Sequence, residues 1–437
     1  FENHNLALLQ GKNKAKKNDV RTFEISYIGT PKDGLIISKN KFGERTFFSD
    51  HWPNRARNWL PVNDAPNDKA SFEFVIIAPA KYRVISNGVL IEEKQLGGDK
   101  KLTHWKQAEP ISTKIMAMGA ARFAVKRLNE NSKDIPVSAW TYPQDSAKLF
   151  YDYAVAPSIL QFFIDYIAPF PYSKLANVQS TTMFGGMENA GAIFYSEELV
   201  SGQRKSEATV AHEIAHQWFG DGASEKNFAH LWLSEGFATY LTNFYFETTY
   251  GKDTAYKRMQ NEKQKIIRFL SESKSPVVDS TDDLMSLLNA NSYEKGGWIL
   301  HMLRQEVGDT AFRKILQTYY QQYKGSNADT RDFEAVVEKV SGQELTWFFD
   351  QWLYRPGLPV LKIETGVGNN EFILKLKQDG VVYQFPLEVA LIADDGTTTT
   401  EKFLVKNEKH EFKVPIKTAA VHFRIDPDGK LLYRLKE

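Results

Sequence analysis

Apolar and polar positions alternate with period two over the first part of the chain, then with the helical period, then with period two again. Thr22–Ile28 (T-F-E-I-S-Y-I) alternates, Pro31-Lys32-Asp33-Gly34 reads as a turn, and Ser71–Ile77 (S-F-E-F-V-I-I) reads as a buried strand. Helical spacing takes over near Ala147, where Leu149, Tyr153, Ile159, Phe162, Phe163 and Tyr166 recur until Pro169-Phe170-Pro171-Tyr172. A strand is predicted at Leu175–Ser180. Further helices follow over about Ala255–Leu270, Glu294–Val307, Ala311–Tyr323, Phe333–Val340 and Leu345–Tyr354. Arg355-Pro356-Gly357-Leu358-Pro359 ends the helical part. Beyond Val360, Phe372, Leu374 and Leu376 alternate with Lys375 and Lys377, with turns at Asp394-Asp395-Gly396 and Asp426-Pro427-Asp428-Gly429. There is no internal repeat. The order predicts a β domain, a mixed helical domain and a small β-sandwich.

Between the two strand-rich parts lies the stretch with the densest chemistry, Ser206–Tyr240. It contains His212-Glu213-Ile214-Ala215-His216, an H-E-x-x-H pattern. Residues four apart on a helix share a face, so two imidazoles reach one metal ion, while Glu213 is left free to act as a base. Alone, the pattern also fits an amphipathic surface helix. Glu235 decides between them. It sits in W-L-S-E-G-F-A-T-Y, a second helix that Gly220-Asp221-Gly222 lets fold back on the first. Two histidines and one carboxylate form the ligand set of a catalytic rather than a structural zinc. Thr239, one turn after Glu235, is a candidate to bond a ligand imidazole, and equally a core threonine. His230 and the other histidines lack ligand spacing, and Phe244, Tyr245 and Phe246 read as packing.

Composition narrows the rest. At 437 residues the chain is long enough for several domains with real cores, and a net charge of +1 without long charge blocks gives no case for nucleic acid. The basic stretch Gly11–Asp19 reads as a solvated loop. With no cysteine, any zinc must be held by nitrogen and oxygen. No apolar run reaches membrane-spanning length; Phe72–Ala80 and Trp298–Leu303 are too short. The chain starts at Phe1 without an initiator Met, which implies a removed leader or a start inside a longer precursor.

Upstream of the H-E-x-x-H helix lies Phe184-Gly185-Gly186-Met187-Glu188-Asn189-Ala190-Gly191. One reading is a glycine turn into a strand with one exposed acid. The other is an edge strand whose glycines admit a peptide backbone, with Glu188 pairing a charged α-amino group. The residues themselves leave both open.

Taken together, Gly185-Gly186-Met187-Glu188-Asn189, His212-Glu213-x-x-His216 and Glu235 resemble the gluzincin zinc aminopeptidases, the family of aminopeptidase N and leukotriene hydrolase. Asn291-Ser292-Tyr293-Glu294-Lys295-Gly296 resembles a third motif of that family, Trp52–Phe72 its amino-terminal loop and strand, and Phe348–Leu353 the end of its thermolysin-like domain. The resemblance implies a multidomain α+β protein: an N-terminal β-sheet domain over 1–126, a thermolysin-like zinc peptidase domain over 127–356 and a C-terminal β-sandwich over 357–437. It further implies that the opening strands of the first domain are missing and that no C-terminal helical domain follows the sandwich. One Zn2+ would be held by His212, His216 and Glu235. Glu213 would be general base and Tyr293 the oxyanion donor, while Gly185, Gly186, Met187, Glu188 and Asn189 bind substrate and Phe184 lines the first side-chain pocket. Trp52, with Asp50 and His51 beside it, stands where relatives often place a second amine ligand.

The implied activity is removal of N-terminal residues from peptides with a free N-terminus. Its competitors are a catalytically weak or inactive peptide-binding relative, a zinc endopeptidase and an epoxide hydrolase. The likeness of Trp52–Phe72 and Gly185–Tyr195 to exported bacterial enzymes favours an extracytoplasmic location over the cytoplasm. Preferred residue and oligomeric state are not encoded in any pattern found.

Overall fold

A computed structural model describes residues 16, 19–129, 135–368, 370–416 and 421–436. Apart from Lys16 and Asp19, the basic stretch Gly11–Asp19 lies outside the described residues, as do Phe1 and His4.

The N-terminal part comprises β1 (Leu35–Lys39), β2 (Arg45–Ser49), β3 (Lys69–Pro79), β4 (Arg83–Ser86), β5 (Val89–Leu96), β6 (Lys100–Ser112) and β7 (Met118–Ala121). These form a four-stranded sheet, ordered β1-β2-β7-β4, and a three-stranded sheet, β3-β6-β5. Two expectations fail here. Thr22–Ile28 is not a strand: its alternation supplies an apolar face, but among the described residues no backbone pairs with it, and Phe23, Ile25, Tyr27 and Ile28 stay exposed. Ser71–Ile77 does lie in β3, yet it is not buried on both sides. Phe72, Phe74 and Ile76 face the core while Val75 and Ile77 remain more than half exposed, because the antiparallel sheet is covered on one face only.

A five-stranded sheet follows, built from β8 (Ala124–Arg127), β9 (Val137–Thr141), β10 (Leu175–Ser180), β11 (Gly186–Met187) and β12 (Ala192–Ser196). Its order is β11-β12-β10-β9-β8, with β12, β10 and β9 parallel and the two edge strands antiparallel. The helices α1 (Ser146–Asp152) and α2 (Ala156–Tyr166) lie between β9 and β10. Every residue of β10 is buried, so it reads as a continuous run rather than an alternation.

Helices then dominate: α3 (Glu207–His216), α4 (Trp232–Tyr250), α5 (Lys252–Glu272), α6 (Gly296–Val307), α7 (Asp309–Tyr323), α8 (Thr330–Ser341) and α9 (Thr346–Phe349). A parallel pair, β13 (Ala223–Glu225) and β14 (Ser326–Ala328), ties the α3–α4 connection to the α7–α8 connection. Asp329 caps α8 in a capping box with Asp332, and Gly342 ends it in a left-handed turn. Asn291–Lys295 forms a single π-helical turn before α6. The C-terminal strands β15 (Val360–Gly368), β16 (Glu371–Gln378), β17 (Phe385–Ala393), β18 (Thr398–Val405), β19 (Lys409–Pro415), β20 (Val421–Ile425) and β21 (Arg434–Leu435) make sheets β19-β16-β15-β21 and β18-β17-β20. Phe403 of β18 stacks on Phe412 of β19 at 4.3 Å, joining the two sheets as a sandwich. No described helix is long and apolar enough to cross a membrane.

Two features aim the helices. The N-terminal part is pinned to the central part by a fully buried ion pair, Lys114 Nζ to Glu225 Oε1 at 2.5 Å, and by Asn87 Nδ2 donating to the Ala190 carbonyl at 2.8 Å. Within the central part, α4 and α6 meet backbone to backbone at Gly236 and Gly296. A β-carbon on either glycine would lie 2.9 Å from the other's backbone. Gly236 follows Glu235 directly, and Gly296 comes three residues after Tyr293, so this contact sets the separation of those two side chains.

Gly296→Ala is expected to force α4 and α6 apart and to destabilise the fold by about 1–3 kcal/mol, the usual cost of overpacking. Urea unfolding of the variant against the parent chain measures it; an unchanged midpoint contradicts the assigned role of this contact.

Candidate active site

α3 and α4 run antiparallel, and three contacts fix their register. Ser234 Oγ lies 3.1 Å from His216 Nδ1 at one end, Glu235 meets both histidines in the middle, and the Tyr245 hydroxyl donates to Glu207 Oε1 at 2.8 Å at the other end. His212, His216 and Glu235 converge. The two Nε2 atoms are 3.0 Å apart, and Glu235 Oε2 lies 3.3 Å from the first and 3.2 Å from the second. Four-coordinate bonds of about 2.0–2.1 Å place donor atoms roughly 3.3–3.4 Å apart, so the triangle fits one metal ion. His216 Nδ1–H donates to the Phe219 carbonyl at 3.2 Å, which turns its Nε2 toward Glu235. Ser234 and Phe219 thus do the work for which Thr239 was a candidate; Thr239 lines the pocket and packs against Gly297 instead.

The triangle opens into a cleft of about 480 Å³. Glu213 lines it from α3, outside the triangle, with its carboxylate against Gly186. A β-carbon at position 186 would overlap that carboxylate, which is why this strand can pass only as glycine. Burial pushes the Glu213 carboxyl well above the usual range; His216 opposes the shift, while Glu188 and Glu235 add to it. For Glu235, burial also disfavours charge, but the two imidazoles overcome it and hold the carboxyl far below its ordinary value. Burial disfavours charge on His216 as well, yet Glu235, Glu188 and Glu213 raise it to about 10. Three carboxylates around two imidazoles make a pocket that favours a cation.

Glu188 and Met187 line the cleft from β11 and its continuation, together with Gly185 and Gly186. Since β11 is the sheet edge, its outer side has no strand neighbour in that sheet. Glu188 is 5% exposed and its Oε1 is buried without a hydrogen-bond partner. Its backbone carbonyl accepts from Gln217 Nε2 at 2.8 Å, and Gln217 also accepts from Gly191 N–H at 2.7 Å and donates to Asp221 at 2.9 Å. Asn189 does not line the cleft; it is buried behind it. Phe184 does line it, edge-on to Trp52 at 6.0 Å.

Trp52 is the N-terminal part's contribution to the cleft. Asp50 is instead engaged by Arg55 at 2.5 Å and by Thr182 and Met183, and His51 by Trp59 Nε1 at 2.8 Å. Among the described residues no carboxylate from that part faces the cleft. Tyr293, on the π-helical turn, stacks its ring on His212 at 5.9 Å. Burial, reinforced by Glu235, Glu188 and Glu213, keeps its hydroxyl protonated well above the ordinary tyrosine range, so it stays a hydrogen-bond donor. Sequence reasoning did not single out Ala208, Thr209, Thr242, Arg258 and Leu288, which complete the wall. Gln217, directly after the second histidine, was the one positioning residue with a usable signal, since it lies inside the motif stretch.

Comparison with known proteins places this geometry. Residues 2–115 match the Peptidase M1 N-terminal domain and residues 151–352 the Peptidase family M1 domain. The probable aminopeptidase 2 of Sulfurisphaera tokodaii is 29% identical over 430 residues, covering 93% of this chain and 54% of that protein. Glutamyl aminopeptidase of Rattus norvegicus is 29% identical over 353 residues, covering 76% of this chain and 37% of its own length. This chain therefore spans roughly half or less of the curated relatives it matches. The crystal structure of Legionella pneumophila aminopeptidase A in complex with aspartic acid shares the fold, with a TM-score of 0.80 at 20% identity over 93% of this chain and 48% of that one. Both matched domains, and the cleft built where they meet, identify this chain as a member of peptidase family M1.

Proposed function

We propose that the chain is a zinc aminopeptidase that removes single residues from the free N-terminus of peptides. One observation carries the reading: a buried carboxylate oxygen without a partner, Glu188 Oε1, shares a cleft with the His212–His216–Glu235 triangle. An anionic anchor beside a metal group selects a substrate that carries a positive charge next to its scissile carbonyl. An α-amino group has that charge in that place. The named relatives are aminopeptidases, which supports the same class.

Zinc, bound by His212, His216 and Glu235, supplies a Lewis acid that polarises the carbonyl and makes water acidic enough to attack near neutral pH. Glu188 takes the ammonium, and the edge of β11 at Gly185 and Gly186 aligns the backbone, so that the first peptide bond reaches the triangle. Glu213 accepts the proton of the attacking water and returns it to the leaving nitrogen. A cation held by His212, His216 and Glu235 would oppose the burial that otherwise keeps this carboxyl protonated. Tyr293 donates its hydroxyl proton in a hydrogen bond to the carbonyl oxygen as charge builds there. The cleft brings together the residues read as ligands, base, anchor and donor, which supports the catalytic reading over the non-catalytic one.

Glu213→Gln is expected to lower kcat by roughly 10²–10⁴-fold with zinc content unchanged by elemental analysis; retained turnover removes the base assignment. Glu188→Ala should reduce kcat/KM on leucyl p-nitroanilide by roughly 10–100-fold, the worth of a charge-assisted hydrogen bond, again without loss of metal. Chelation should abolish activity and leave the far-ultraviolet circular dichroism intact, since the ligands sit on helices with their own apolar core; unfolding on chelation would make the site structural instead.

A further inference from the structure

The cleft has two ends, and they differ in charge. Glu188 stands at the α3 C-terminal end, where Gln217 holds its backbone. The other end lies beside the α3 N-terminus and is walled by Ala208, Thr209, Thr242 and Arg258. The antiparallel register fixes this placement: Tyr245 of α4 bonds Glu207 at the start of α3, and Asn243, two residues earlier on α4, bonds Arg258. Ala208 to His216 is eight helical steps, about 12 Å at 1.5 Å per residue, the length of three to four extended residues. The His212–His216–Glu235 triangle lies at the Glu188 end of this span, where Glu188 acts on both imidazoles.

Arg258 is held but not neutralised. Its Nε donates to Asn243 Oδ1 at 3.1 Å, and its guanidinium lies 4.4 Å over the Phe246 ring. The carboxylate nearest along its own helix, Glu262, is taken by Asn243 Nδ2, at 3.0 and 2.8 Å to its two oxygens. Among the described residues neither terminal amino group of Arg258 has a hydrogen-bond acceptor, and no carboxylate lies within ion-pair distance of it. Burial disfavours its charge, and Glu262 is the acid that acts against this. Such a fork, fixed at one edge and open at the other, suits bidentate binding of a carboxylate.

We infer that Arg258 anchors a carboxylate on the leaving-group side of the scissile bond, so that the enzyme favours short peptides whose released portion is acidic. The inference rests on the aminopeptidase reading above, which puts the amine at Glu188 and the first carbonyl at the triangle; what continues past them runs toward Arg258. The carboxylate has two possible sources: the free C-terminus of a dipeptide, or an acidic second side chain.

Four leucyl substrates separate them: Leu-Ala, Leu-Ala-NH2, Leu-Glu-NH2 and Leu-Gln-NH2, assayed with the zinc-loaded chain and with Arg258→Gln and Arg258→Lys. The kcat/KM ratio of Leu-Ala to Leu-Ala-NH2 reads the free C-terminus, and that of Leu-Glu-NH2 to Leu-Gln-NH2 reads the side chain. At least one ratio is expected at about tenfold in the parent, as for a charge-assisted bond at a half-exposed site. It should fall to about one in Arg258→Gln and be partly kept in Arg258→Lys. Ratios are the readout because a merely structural role would lower all four substrates together. Both ratios near one in the parent, or a ratio that survives Arg258→Gln, would overturn the inference and leave the aminopeptidase reading standing. A control pair, Glu-Ala-NH2 and Gln-Ala-NH2, is assayed alongside; an Arg258→Gln effect confined to it would also overturn the inference and assign the arginine to the first side chain. A parent chain that cleaves none of the four removes the aminopeptidase reading, and this inference with it. Calorimetric binding of Leu-Ala and Leu-Ala-NH2 to Glu213→Gln gives the first of these comparisons with turnover suppressed.

Discussion

Two imidazole nitrogens 3.0 Å apart, with a carboxylate oxygen 3.2–3.3 Å from both, are the constraint on which the rest of this structure depends. Three electron-pair donors pointing at one spot repel unless a cation lies between them, and burial of Glu213 and Glu188 alongside sharpens the cost. The fold meets that cost with rigid backbone contacts. The Gly236–Gly296 contact removes side-chain play between the helices that carry Glu235 and Tyr293. Ser234 and the Phe219 carbonyl close around His216 from outside. These contacts orient the three donors from the protein side, which fits the proposal of a metal that does chemistry rather than organises the fold.

The N-terminal sheets are part of this device. Asn87 reaches the carbonyl of Ala190, two residues beyond Glu188, while Asp50 accepts from Thr182 and Met183 just ahead of Phe184. Lys114 enters the central part as a buried cation paired with Glu225, and its charge also acts on Glu188 and Asp221. With Lys69, which acts on Glu225 and Asp221, it offsets the charge of the buried acids in that region. The strand that presents Glu188 is thus braced from one side by Gln217 and from the other by groups more than sixty residues upstream.

What could be read from the sequence follows from how far each signal reaches. His212, Glu213 and His216 lie within one helical turn and a bit, and Glu235 falls on the next periodic stretch, so spacing alone assembles them. The three-part order of strands, helices and strands was equally plain, because period two and period 3.6 differ over any window of ten residues. Thr22–Ile28 shows the limit: alternation reports a face, not whether a neighbouring strand exists. Ser71–Ile77 shows the same limit from the other side, since an apolar run does not reveal that only one face of its sheet is covered. Arg258 was invisible because its meaning comes from Asn243 and Phe246 on another helix, with no fixed spacing to Glu235. Trp52 was noticed only where a different residue was expected.

The central claim is that this cleft requires a free amine at Glu188 beside the metal triangle. The most direct measurement compares hydrolysis of leucyl p-nitroanilide with that of its N-acetyl derivative by the zinc-loaded chain. The account predicts release of p-nitroaniline from the free-amine compound and none above background from the acetylated one; comparable rates on both would contradict it.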